Sequence, residues 1–207
     1  VESVRIDELP TNGRLLLNGV EVTQGQMISQ NDVDAGLLTF EPDEDWSGTT
    51  SLRFSAFDGE LWSEAQREQT LIVNAVADAP SLLVANASGL EDTAIPLTID
   101  PELTDTDGSE TLSVRISGMP SGATLSAGTN LGGGVWQLTP AQLDGLTVTP
   151  PAHYSGTMNL TVTATSTEAS TGATASTASA LQVAVTGVVD SPNLTAADRS
   201  GSEDTAI

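Results

Sequence analysis

The groups in this sequence that could do chemistry are carboxylates, and they are gathered rather than scattered. Ten acidic residues lie between positions 80 and 191, and seven of them form one run: Glu91, Asp92, Asp100, Glu102, Asp105, Asp107 and Glu110. The stretches Ile116–Leu143 and Ala169–Val189 carry no charge. A solvated face would spread its charge over every exposed strand. Asp105-Thr106-Asp107-Gly108 instead sets two carboxylates at i and i+2 ahead of a glycine suited to a turn. Anions this close repel, and salt screens them only partly over a Debye length of about 8 Å. A hard divalent cation relieves that repulsion, and calcium, which takes about six to eight oxygen ligands, suits the group. Acidic turns with glycine are common by themselves. Glu91 just before a strand, and Asp78 and Asp190 each shortly ahead of a proline, extend the ligand set.

The same carboxylates do not read as catalytic. A glycosidase needs a general acid placed beside a nucleophile or base, and no second acidic cluster supplies one. His153 is the only histidine and lies in a turn-like PPAHYSG stretch with no serine-plus-acid signature around it. Cysteine is absent, which removes thiol nucleophiles, thiolate zinc sites and disulfides together. No enzymatic activity is expected.

The elements that must position the carboxylates are repeated. ADAPSLLVANASGLEDTAI (Ala77–Ile95) returns as VDSPNLTAADRSGSEDTAI (Val189–Ile207). SVRI at Ser3–Ile6 returns at Ser113–Ile116, and LTFEPDEDWSGT (Leu38–Thr49) returns as LTVTPPAHYSGT (Leu146–Thr157). Three anchors in one order, at offsets of 108 to 112, describe a tandem array. The array divides into residues 1–79, a repeat expected to lack its first strands; 80–191, a complete repeat; and 192–207, the opening strand of a third. A period near 110 is the size of a self-contained domain.

Short Val- and Thr-rich segments at 81–85, 95–99, 111–117, 134–138, 146–150, 159–165 and 180–185 are separated by Gly, Pro, Ser and Asn clusters. Segments 14–19, 37–40, 50–57 and 70–76 read the same way, and no window holds a helical period beyond about one turn. The expected class is all-β, in tandem antiparallel Greek-key sandwiches. Open edges in 1–79 and spare first-strand sequence in 192–207 predict either strand exchange between copies or fraying of 1–79.

Charge excludes further classes. The chain carries 28 acidic residues against 6 basic ones, for a net charge of −22, and every basic residue is an arginine. Such a surface repels phosphate, so nucleic acid and anionic membranes are not expected partners. No apolar run approaches the roughly 20 residues of a membrane span. The acids of the first repeat, from Glu41–Asp45 to Glu68, read as solvated surface. Trp46, Trp62, Trp136 and Tyr154 are the candidates for an alternative reading, a carbohydrate- or peptide-binding module. Trp46 and Tyr154, however, precede Ser-Gly at equivalent positions and read as a repeated corner aromatic. Trp136 lies in an expected strand, and Trp62 is expected to be the exposed one.

ADAP and VDSP resemble the linkers of cadherin-type tandem repeats. EDTAIPLTIDPELTDTDG (Glu91–Gly108) is similar to their glutamate, second strand and paired-aspartate loop. SLRFSAFDGELWS (Ser51–Ser63), followed by TLIVNAVADAP, resembles their closing strands and linker. LPTNGRLLLNG and TPPAHYSG look like the bacterial cadherin-like and Ig-like repeats of very large surface adhesins, including the repeats-in-toxin type. The resemblance covers nearly the whole chain. It implies an extracellular protein of the bacterial cell surface, serving cell adhesion or biofilm formation, whose partners are neighbouring repeats of its own chain.

It also implies a division of calcium ligands. Asp78, Asp105 and Asp107 would serve the first junction, and Glu91 and Asp190 the second. Asp58 would face a junction above residue 1, and Glu203 a junction beyond. Two departures imply fewer ions. The linker NAVADAP is poor in acidic and amide groups, and the position matching Asp58 in the complete repeat is the neutral Ser166.

Overall fold

The structure is a computed structural model that describes residues 1–190 and 194–203. It is all-β apart from two single-turn helical pieces. Strands β1 (Ser3–Glu8), β2 (Gly13–Leu17), β3 (Val20–Glu21), β4 (Met27–Ser29), β5 (Leu38–Pro42), β6 (Gly48–Phe57) and β7 (Arg67–Val73) build the first half. The second half holds β8 (Ser81–Ala85), β9 (Ala87–Leu90), β10 (Ile95–Pro96), β11 (Thr98–Glu102), β12 (Glu110–Ser117) and β13 (Thr124–Leu125). It continues with β14 (Thr129–Gly132), β15 (Val135–Leu138), β16 (Thr147–Thr149), β17 (Gly156–Glu168) and β18 (Thr174–Thr186). The short helix α1 (Gln30–Asp34), absent from the expected elements, starts where the Ser29 hydroxyl accepts the Asp32 N–H at 3.1 Å. Among the described residues no helix is long and apolar enough to cross a membrane.

Each half gathers its own core. In the first, sheets β4-β1-β6-β7 and β3-β2-β5 enclose Ile6, Leu15, Val22, Ile28 and Leu52. In the second, the six-stranded sheet β14-β15-β12-β17-β18-β9 lies over β10-β16-β13 and β11-β8. Its interior is larger and includes Val114, Ile116, Trp136, Leu160, Val162 and Val183.

The sequence repeat is also a repeat of register. β1 pairs β6 antiparallel with Val4 opposite Ala56 and Ile6 opposite Phe54. β12 pairs β17 in the same way, with Val114 opposite Ala164 and Ile116 opposite Val162. Gly48 faces Val73 as Gly156 faces Val185. Both glycines hold positive φ, 142° and 135°, with the ring of Trp46 or Tyr154 folded against them. A side chain at either would strain the backbone, and one at Gly48 would also crowd the Trp46 ring. The two aromatics are therefore corner residues. Tyr154 packs on the second core and donates its hydroxyl to the Thr157 carbonyl at 3.1 Å.

What the halves do not share is the cover on one side. β18 lies between β17 and β9, and its Val183 and Val185 are buried. The equivalent β7 is a sheet edge, and its Leu71 and Val73 are only half-buried. An apolar cleft lined by Ile6, Val33, Leu38, Leu52 and Phe54 opens in the same half. Of the third repeat's expected opening strand at 192–207, residues 192–193 and 204–207 lie outside the described residues. Residues 194–203 are exposed and form no strand. In the second half the matching strand β8 is held by β11.

Hydrogen exchange should read this asymmetry directly. Amides of β17 and β18 should outlast those of β7 by about tenfold or more, because β7 is paired on one side only. Equal protection of β7 and β18 would show that the first half is as well closed as the second.

Candidate metal centre

The inward face of the second half changes character as it nears the linker. Along β17 the alternation that buries Met158, Leu160, Val162 and Ala164 continues to Ser166 and Glu168, which are 0% and 1% exposed. On β12 the same face runs Ile116, Val114, Leu112 and ends at Glu110, 6% exposed. Glu110 and Glu168 stand directly opposite each other across the ladder. Like charges so placed are unfavourable, and burial makes them costlier unless each finds donors.

Glu168 finds them. Its carboxylate accepts the Ser170 N–H at 3.0 Å, the Ser170 hydroxyl at 2.8 Å and the Ser109 hydroxyl at 2.9 Å. These bonds, Ser170's foremost, hold its carboxyl below the usual range. Glu110 finds only half of what it needs. Oε1 accepts the backbone N–H of Asp78 at 2.7 Å, and Oε2 is the one buried side-chain oxygen without a partner among the described residues.

The linker is fastened at the same place. The Asp78 N–H goes to Glu110, and the Asp78 carbonyl accepts the hydroxyl of Ser166. Ser166, the neutral residue matching Asp58, therefore works as a clamp on the linker. Thr104 adds a third tie, donating its hydroxyl to the Ala79 carbonyl at 2.8 Å. With its main chain bound on both sides, Asp78 turns its carboxylate to the junction.

There it meets Asp45 and Asp105. One carboxylate oxygen from each of the three lies within 4.8 Å of the others. Asp105 is buried, Asp78 half-buried and Asp45 exposed. The donors come from three separate segments: the loop before β6, the linker, and the loop between β11 and β12. They line a cleft of about 280 Å³ whose apolar wall includes Trp46 and Val73.

Asp105 and Asp107 divide the work of their loop. Asp105 Oδ1 accepts the Asp107 N–H at 2.8 Å, and Asp107 Oδ1 accepts the Ser109 N–H at 2.6 Å. Asp107 is exposed and lies outside the three-carboxylate group. Hydrogen bonds from Ser109 lower its carboxyl below the usual range. Asp45, read from sequence as solvated surface, joins the group because the corner before Gly48 turns it toward the linker. Its own φ of 59° is left-handed, a conformation aspartate tolerates. Loss of water, then the charges of Asp105, Glu44, Asp78 and Asp107, push its carboxyl above the usual range.

The other expected ligands lie elsewhere. Asp58 is exposed and caps its own loop, accepting N–H groups from Glu60 and Leu61 at 2.9 and 2.8 Å. The Leu61 bond leads in lowering its carboxyl. Glu91 is buried and accepts the Val188 N–H at 2.6 Å, tying down the chain that leaves β18. Its neighbour Asp92, with His153 and Asp190, forms a second convergent group at that end. Glu203 is exposed in the C-terminal stretch. Sequence reasoning missed Asp45 and Glu168, and grouped Glu110 with the acidic run without marking it as inward-facing. The period-2 alternation of TVTATSTE and ETLSVRI, carried on to its end, marks Glu168 and Glu110 as inward-facing.

The first-junction group fits a hard cation. Every donor is an oxygen, and the charges repel without a counter-ion. Soft or borderline metals have no nitrogen or sulfur ligand here. No family model matches the chain, and no curated protein matches it.

The carboxyl shifts set opposite pH dependences. A raised folded-state value means the fold binds more protons than the unfolded chain, so Asp45's contribution is full below about pH 3.9 and lost as pH rises. Asp107 and Glu168 are lowered, so theirs is full above the usual carboxylate range and lost as pH falls. In chelator, Asp45→Asn should therefore raise the melting temperature at neutral pH, with the gain disappearing as pH falls toward about 3.9. Asp45→Asn lowering the neutral melting temperature in chelator would mean that the group is not repulsive.

Proposed function

We propose that this chain is a pair of cadherin-like, Greek-key spacer repeats whose junction is stiffened by calcium. It would belong to a large adhesin on the bacterial cell surface, where spacers hold a binding tip away from the cell for adhesion or biofilm formation. The observation that carries the reading is the convergence of Asp45, Asp78 and Asp105 from the two halves and the linker between them. An ion held by all three would tie the first half to the second through the one segment that connects them.

Extracellular modules bind calcium with dissociation constants of about 10⁻⁴–10⁻³ M. At millimolar calcium a site at the tight end of that range gains about 1.4 kcal/mol from occupancy. Such a gain is small beside a domain's folding energy and large for a hinge. The alternative, a carbohydrate- or peptide-binding module, has less support from the aromatics. Trp136 is buried, Trp46 faces the junction cleft, and Trp62 stacks near Phe57 with Arg5 over its ring at 4.9 Å.

Millimolar calcium should raise the melting temperature by roughly 3–6 °C over chelator. It should also lengthen the maximum dimension seen by small-angle scattering and change the fluorescence of Trp46. Asp105→Asn should abolish all three responses. Identical melting and scattering curves in chelator and calcium would end the stiffening reading.

A further inference from the structure

At the far end of the second half, the same scaffold presents different donors. The internal repeat sets His153 at the position of Asp45 and Asp190 at the position of Asp78. Backbone geometry follows the repeat, since both Asp45 and His153 have φ of 59°. Each residue precedes a corner aromatic, and each turns its side chain toward a linker aspartate. His153 Nδ1 lies 2.9 Å from Asp190 Oδ2 and 3.7 Å from Asp92 Oδ2. Asp92 Oδ1 accepts the His153 backbone N–H at 3.0 Å, which fixes the carboxylate and leaves Oδ2 facing the ring. The three donor atoms lie within 4.8 Å of one another and are open to solvent.

We propose that Asp92, His153 and Asp190 form a site for a borderline first-row divalent cation of the zinc type. Imidazole is a common ligand for such ions, whereas calcium takes oxygen donors. Tetrahedral bonds of about 2.0–2.1 Å hold neighbouring donors about 3.3 Å apart, between the two distances from His153 Nδ1 to the carboxylates. Two carboxylates and a neutral ring balance the ion's charge, and water completes the coordination. Histidine in place of Asp45, with Asp92 rather than an equivalent of Asp105 as the third donor, thus gives the two ends of the second half different metal preferences. The zinc-type site does not require calcium at the first junction, and its test separates the two.

The full chain has one histidine, so its imidazole resonances report on His153 alone. Zinc chloride added in millimolar calcium should shift or broaden them, saturating at a single zinc per chain. His153→Asn keeps a residue that tolerates left-handed φ and removes the ring. It should weaken zinc binding by about tenfold or more, as should Asp190→Asn, while Asp105→Asn leaves zinc binding unchanged. His153→Asp should lose zinc selectivity and add a second calcium-binding event. Imidazole resonances that stay fixed as zinc is added would overturn the proposal. So would zinc binding that is the same in His153→Asn, which would mark general adsorption to an acidic surface.

Discussion

The junction depends on how the main chain of Asp78 is held. Its N–H and its carbonyl are both engaged by side chains of the second half, Glu110 and Ser166. Those two side chains occupy the last inward positions of β12 and β17, where the apolar core gives way to polar groups. The linker is thus stitched to the end of the core that defines the second half. Its carboxylate, not needed for the stitching, is delivered to the junction. The cost sits in Glu110, a buried carboxylate with one oxygen unpartnered and a second glutamate opposite it. A buried charge in that condition is unfavourable, and a nearby cation would offset it.

The same logic repeats at the other end with altered parts. Glu91, buried as Glu110 is, accepts a linker N–H from Val188. Asp190, the match of Asp78, lies two residues beyond the fastened Val188, and the corner residue before the aromatic approaches it. Fastening the linker and presenting a ligand are therefore separate jobs given to neighbouring residues. The fastening residue is a buried glutamate at each end. The presented set varies, all oxygen at one end and mixed nitrogen and oxygen at the other.

Much of the fold was legible because its signals are local. The segments expected at 81–85, 111–117, 159–165 and 180–185 fall within β8, β12, β17 and β18, since alternating Val and Thr between Gly and Pro turns leaves few other options. The carboxylate group was legible only in part. Asp78 and Asp105 stand out by spacing, but Asp45 joins them through a corner three-dimensionally adjacent and 33 residues earlier than Asp78. Asp107 looks equivalent to Asp105 in sequence, yet one carboxylate faces the junction and the other caps the loop. Ser166 looked like a missing ligand because a hydroxyl's use depends on which backbone group comes within reach.

The most direct measurement is a high-resolution structure of the full chain grown in millimolar calcium. The expected result is one ion at the first junction, bonded to oxygens of Asp45, Asp78 and Asp105 at about 2.3–2.6 Å. A structure from the same conditions in which the three carboxylates splay apart around water would contradict it.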